Sequence, residues 1–186
     1  MSPEDKKSIS TGKGDKGLTS LLDGTRTEKG STRPETYGTL DEASAFIGLA
    51  RSKSRLPLVR KTLLEVQNRI YLINSELACP PESKHLLKRP LTEQDVEWIT
   101  AASREIEGLV DLPPKFVIYG EMESSAVLDV ARAVVRRAER VLARLETTDE
   151  VGNSSIKAFI NRLSDLLFVL ARHEEREAGV DLRHPE

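Results

Sequence analysis

The sequence predicts an all-α fold, a five-helix bundle built as one domain, and three observations lead there. Five segments space their apolar residues by steps of three and four, the period of a helix that buries one face. The connections between them are marked by proline, glycine or capping residues. The chain has 186 residues, enough for one well-packed core and too few for two comfortable ones.

Each element has its own signature. Residues Met1 to Arg33 are rich in Gly, Ser, Thr and Lys without a sustained period, so a flexible leader over residues 1–10 is expected to pass into an ordered, non-helical loop. Pro34 suits a first helical turn, and Leu40, Ala43, Ile47 and Ala50 then recur at helical spacing up to about Ser52. A second helix is expected from about Leu58 to Leu77, where Val59, Leu63, Val66, Ile70, Ile73 and Leu77 form a bundle seam that Pro80 and Pro81 end. After a polar connection, Thr92 with Asp95 three residues on opens a third helix through Val96, Ile99, Ile106 and Leu109. The segment Asp111 to Met122 (DLPPKFVIYGEM) breaks the helical pattern with two prolines, a glycine and a β-like run, Phe116 to Tyr119, and is the expected functional loop. The fourth helix spans about Ser124 to Leu145, with Val127, Val130, Val134, Ala138, Val141 and Leu145 inward. Asn153 caps a fifth that runs to about Glu177, with Ile156, Phe159, Leu163, Leu166 and Leu170 inward. The bundle domain is therefore placed at residues 11–177, with 178–186 as a C-terminal tail.

Composition narrows the function classes. Charged residues make up 31% of the chain but the net charge is −2, so no nucleic-acid partner is expected and any basic site must be local. The single cysteine, Cys79, excludes an intramolecular disulfide and reads as a small apolar residue near a helix end. His85, His173 and His184 have no metal-ligand spacing, so no histidine-based metal site is expected. No run approaches the roughly 20 apolar residues of a membrane span, and a cytoplasmic protein is expected, an organellar leader removed beforehand being compatible with the sequence.

Two features point to an anion. Arg132, Arg136 and Arg140 are spaced by four and stack on one side of the fourth helix, with Arg137 and Glu139 beside them. Guanidinium forks match phosphate oxygens, and a polyphosphate needs several such donors; the alternative is a solvated face neutralised by Glu139, Glu146 and other acids. The loop Thr11 to Ser20 (TGKGDKGLTS) has Gly12, Gly14 and Gly17 to free backbone N–H groups, and Lys13, Lys16, Thr19 and Ser20 as further donors. A phosphate cradle and a disordered leader both fit it, whereas the dinucleotide and P-loop patterns fail for want of a βαβ context and of the P-loop lysine, Leu18 standing in its place. Asn161 and Asp165 share a face of the fifth helix, and Asp41 and Glu42 lie on the first. For these, inter-helix pairing and ligand contact are both open.

Taken in order, TGKGDKGLTSL (Thr11 to Leu21), Lys29, YGTLDE (Tyr37 to Glu42), ARAVVRRAER (Ala131 to Arg140) and NRLSDLLFVLAR (Asn161 to Arg172) resemble the PduO-type ATP:cob(I)alamin adenosyltransferases over nearly the whole chain beyond the leader. The resemblance implies a homotrimer of five-helix subunits that transfers the 5′-deoxyadenosyl group of ATP to the cobalt of cob(I)alamin, releasing triphosphate, with magnesium accompanying the nucleotide. It implies an ATP site of Thr11, Gly12, Lys13, Gly14, Asp15, Lys16, Thr19, Ser20, Lys29, Arg136, Arg137, Glu139, Arg140 and Asn161. It also implies an interface pair of Asp41 with Arg132, which with Arg136 are the residues expected to carry catalysis, and a corrinoid side at Phe116, Glu121 and Asp129. Phe116, otherwise readable as a core residue, would occupy the lower face of the corrin. A reductase supplying cob(I)alamin and an acceptor enzyme for adenosylcobalamin are the implied protein partners.

The chain departs from the family pattern in three places. Lys13 replaces a usual threonine, Tyr119, Gly120 and Glu121 stand where relatives carry a proline and two glycines, and Asp129 replaces a usual histidine. The last two fall on the corrinoid side, which keeps a second reading open: an ATP-binding relative, sensor or carrier, with lost or altered corrinoid chemistry. A helical interaction module would leave the glycine-rich loop and the arginines without a role.

Overall fold

The computed structural model describes residues 12–112, 114–148 and 151–186. The expected leader and Thr11 lie outside the described residues. Among the described residues five α-helices form: α1 (Thr32–Lys53), α2 (Pro57–Leu77), α3 (Glu93–Glu107), α4 (Glu123–Thr148) and α5 (Ser154–Glu177). All five were anticipated within a few residues, and the differences lie at the ends and in the connections.

Helix α1 runs antiparallel to α4, as the ion pairs Glu35–Arg144 (3.2 Å) and Lys53–Glu123 (2.8 Å) at opposite ends show. Helix α1 packs between α4 and α2, while α5 packs between α4 and α3. The α2 seam is buried at every expected position. In α4 Val134, Ala138, Val141 and Leu145 are buried as expected, together with Leu128, Ala131, Val135 and Leu142, and Val130 is exposed, which corrects its assignment to the inward face. Val130 stands about 100° around the helix from Ala131, off the seam. Leu109 is also exposed, because α3 stops at Glu107 and Gly108 follows as its C-cap.

The caps show why the helices begin where they do. Thr92 N–H and Oγ1 both donate to Asp95 Oδ2, at 3.0 and 2.9 Å. The Asp95 carboxylate also takes both guanidinium N–H groups of Arg89 at 2.8 Å, which holds its pKa well below the usual carboxylate range. Asn153 accepts from Ser155 N–H (3.1 Å) and donates to Glu76 Oε2 (2.9 Å) and to the Leu91 carbonyl (3.0 Å), tying the start of α5 to α2 and to the entry of α3. Cys79 is buried just past α2, and burial pushes its thiol pKa up, consistent with an inert apolar residue.

Two connections carry structure where loops were expected. A two-stranded antiparallel hairpin, β1 (Leu18–Ser20) and β2 (Arg26–Glu28), pairs Thr19 with Thr27, and Pro81–Leu86 forms a 3₁₀ turn. The β-like run in the functional loop makes one bridge among the described residues, Ile118 with Arg183. Among the described residues, no helix is long and apolar enough to cross a membrane.

Candidate functional site

The glycine-rich loop is built by its glycines. Gly12 (φ 66°) and Gly17 (φ 78°) adopt the left-handed conformation, and the turns Asp15 N–H to Gly12 O and Gly17 N–H to Gly14 O, both 3.2 Å, bring successive amides round one bend. Lys29 N–H closes the bend onto Gly17 O at 2.9 Å. The Lys29 ammonium lies so close to Gly14 that a Cβ there would sit 2.9 Å from Nζ. Arg26 bridges the Lys13 carbonyl (2.7 Å) and Ser20 Oγ (3.0 Å), so the loop is braced against its own hairpin. The hairpin turn is anchored on the body by Leu22 N–H to Ala78 O (2.8 Å) and Ser83 Oγ to Asp23 (3.0 Å). Lys13, Asp15, Lys16, Ser20 and Lys29 are exposed, while Thr19 is half-buried.

Helix α4 sorts its cations. Arg137 is paired with Glu42 of α1, and Arg144 with Glu35, so inter-helix pairing holds for these. Asn161 Nδ2 donates to Glu139 Oε1 at 3.0 Å, and Glu146 pairs with Lys157 (2.8 Å) rather than with an arginine. Arg136 and Arg140 are exposed and, among the described residues, form no ion pair. Arg140 instead donates to the Arg136 carbonyl at 3.0 Å. Asp41 is exposed on α1.

Beside these arginines opens a cavity of about 540 Å³ between α3, α4, α5 and the functional loop. Arg132 and Arg136 form one wall, Phe116, Tyr119 and Phe168 supply aromatic surface, and Arg162 and Asp165 stand opposite. Phe116 is 86% exposed, which overturns its reading as a core residue. Tyr119, noted in the sequence only as a departure from the family pattern, and Phe168 were given no site role there. Phe168 follows Asn161 and Asp165 at helical spacing, a signal that a longer face count on α5 reveals.

Beneath the cavity wall lies a buried charge cluster. Asp129 is 4% exposed and does not line the cavity; its Oδ2 accepts from Arg172 Nη2 at 2.7 Å. Arg172 is held in turn by Glu175 through Nε (2.7 Å) and Nη2 (3.0 Å). Burial pushes the Asp129 carboxyl pKa up, and the Arg172 guanidinium opposes that rise. The Arg132 guanidinium stands 5.0 Å from the Tyr119 ring centre and 5.9 Å from that of Phe168. Glu121 does not stand as a free charge: Arg183 Nε pairs with it at 2.9 Å. His184 Nδ1 lies 2.8 Å from the Phe116 carbonyl, so the segment assigned as a tail packs on the functional loop.

Fold and site together define a helical-bundle protein with a cationic stripe beside an aromatic-walled cavity and, toward the far end of α4, a glycine loop whose amides and lysines suit an anion. Residues 9–174 match the Cobalamin adenosyltransferase family, and the chain belongs to that family. It is 37% identical over 172 residues to the cobalamin adenosyltransferase of Cupriavidus metallidurans, covering 92% of this chain and 90% of that protein. It is 35% identical over 170 residues to the corrinoid adenosyltransferase PduO of Citrobacter freundii, covering 91% of this chain but spanning only half of that longer relative. A variant of the PduO-type ATP:corrinoid adenosyltransferase from Lactobacillus reuteri, complexed with cobalamin and ATP, superposes with a TM-score of 0.90 at 26% identity, covering 96% of this chain and 99% of that one.

Proposed function

We propose that this protein is an ATP:cob(I)alamin adenosyltransferase. The observation that carries the reading is the juxtaposition on α4 of Arg136, exposed and in no ion pair among the described residues, with a cavity walled by Phe116, Tyr119 and Phe168. Cobalt(I) is itself the nucleophile, so no protein base has to remove a proton. Its electron pair forms the cobalt–carbon bond to C5′, the C5′–O5′ bond breaks, and triphosphate departs with that bond's electrons. The protein's task is to align C5′ with the metal and to neutralise the leaving group. Arg136 and Arg140, with Lys13, Lys16, Lys29 and the Gly12 to Gly17 amides, are assigned to the phosphates, and Asn161 and Glu139 to the nucleoside end. Phe116 is assigned to the lower corrin face. Magnesium would be held mainly by phosphates and water, since among the described residues no group of three acidic, His or Cys side chains gathers as a metal site.

A homotrimer in which neighbouring subunits complete each site is part of the same reading. The hairpin lies against the last turn of α4, sharing a cleft with Leu145 and Thr148, whereas Arg136 stands about 13 Å back along the helix axis. A second subunit brings the two surfaces together, with its Asp41 meeting Arg132. Cytoplasmic placement, a reductase and an acceptor enzyme complete the proposal. The alternative of a corrinoid-inactive ATP binder loses its motive, because Asp129 is neutralised below the cavity wall and Glu121 by Arg183.

The test is chemically reduced cob(I)alamin with ATP and magnesium, followed by the absorbance of the cobalt–carbon product and by triphosphate release. One triphosphate per adenosylated cobalt is expected. ATP binding without conversion contradicts the enzyme reading and returns the corrinoid-inactive one.

A further inference from the structure

Asp129 divides its two carboxylate oxygens between two arginines. Oδ2 is taken by Arg172, which Glu175 fixes through two hydrogen bonds. Oδ1 faces Arg132 Nε at 3.5 Å, and neither of these buried atoms has a hydrogen-bond partner. Two anions and two cations therefore balance within one cluster at the cavity wall, and an unused acceptor is aimed at an unused donor. Buried polar atoms are nearly always satisfied, so these two facing exceptions, with Arg172 Nη1 a third beside them, call for a reason. Arg132 belongs to the cavity wall, and the Tyr119 and Phe168 rings stand within 6 Å of both guanidiniums, so a shift of Arg132 carries the aromatic wall with it.

We propose that Asp129 is a positioning residue: Arg172 and Glu175 clamp its carboxylate, and its free Oδ1 sets where the Arg132 guanidinium, and Tyr119 stacked on it, stand in the cavity. The 3.5 Å gap closes to a hydrogen bond when a ligand fills the cavity and excludes water, as contacts that are long in an empty site do when loaded. This rests on the adenosyltransferase reading for its kinetic consequence only. Its structural content concerns residues of the empty protein.

Asn puts an NH2 donor where one of the two carboxylate oxygens stood, so one arginine meets a donor instead of an acceptor, which makes Asp129→Asn the informative variant. In the full chain without substrates, the Arg132 Nε–H signal in nitrogen-resolved NMR is expected to shift, and its exchange with water to quicken, in Asp129→Asn. In turnover, kcat is expected to fall on the order of 10- to 100-fold with KM for ATP unchanged. Arg132→Lys is expected to cost a similar factor, and the double variant no more than either alone. An unmoved Arg132 signal overturns the proposal, and so do effects that multiply in the double variant. Should Asp129→Asn not fold, Glu175→Gln slackens the same clamp and must move the Arg132 signal; no movement there is equally contrary. If the wild type transfers no adenosyl group, the enzyme reading fails while the NMR comparison still decides the positioning role.

Discussion

The two halves of α4 treat charge in opposite ways. Its N-terminal half buries Asp129 and compensates it with Arg172 and Arg132, Glu175 holding Arg172 in place, whereas the following turns leave Arg136 and Arg140 in water and in no ion pair among the described residues. A compensated buried cluster has little charge to offer a ligand but holds geometry; an exposed row of cations holds little geometry but attracts an anion. Under the proposed function the helix thus joins a fixed wall assigned to the corrinoid to an open stripe assigned to the polyphosphate.

The largest effect is expected on the rigid side. Arg172→Met leaves the carboxylates of Asp129 and Glu175 buried without their cation, which costs about 3–5 kcal/mol and is read as a lower denaturation midpoint at fixed protein concentration. A change below about 1 kcal/mol would break the comparison, since the cluster would then be an ordinary surface pairing. On the open side the expectation reverses. Arg136→Ala changes stability by no more than about 0.5 kcal/mol, as exposed substitutions do.

Smaller effects sharpen the picture. The pKa of Asp95 is depressed by Arg89, so its contribution is fully present above the ordinary carboxylate pKa of about 4 and is lost as pH falls through its lowered folded value. Asp95→Asn should therefore cost about 1 kcal/mol near neutral pH, the worth of a helix cap, with the gap to wild type narrowing below about pH 4 in acid titrations of stability. Asp129 has the opposite sign: its raised pKa favours the protonated folded form, so its contribution is present at low pH and lost as pH rises through the folded value. The smallest effect is Gly14→Ala, whose Cβ must displace the flexible Lys29 ammonium. A two- to threefold loss of ATP affinity, roughly 0.5 kcal/mol, is expected by calorimetry.

Much of this was legible in the sequence, for identifiable reasons. The seams of α2 and α5, the Thr92–Asp95 box and the Asn153 cap depend on residues within a turn or two of one another, where spacing is geometry. The β1–β2 hairpin was missed because three-residue strands are too short to show a period, and its register rests on Gly17 and Gly24 in left-handed turns. Val130 was assigned inward because an apolar residue on a helix does not state which of two neighbouring stripes faces the core. Arg172 was quoted within a motif but not given a task, because its partner Asp129 lies 43 residues away. The same holds for Arg183 and Glu121, joined only when the C-terminal segment packs on the functional loop.

The division of α4 into two jobs is tested most directly by ATP titration calorimetry on Arg136→Ala and Asp129→Asn in the absence of corrinoid. The account predicts that Arg136→Ala weakens ATP binding by about tenfold or more, roughly 1.4 kcal/mol, while Asp129→Asn binds ATP as the wild type does. Unchanged affinity in Arg136→Ala, or an equal loss in both variants, would contradict it.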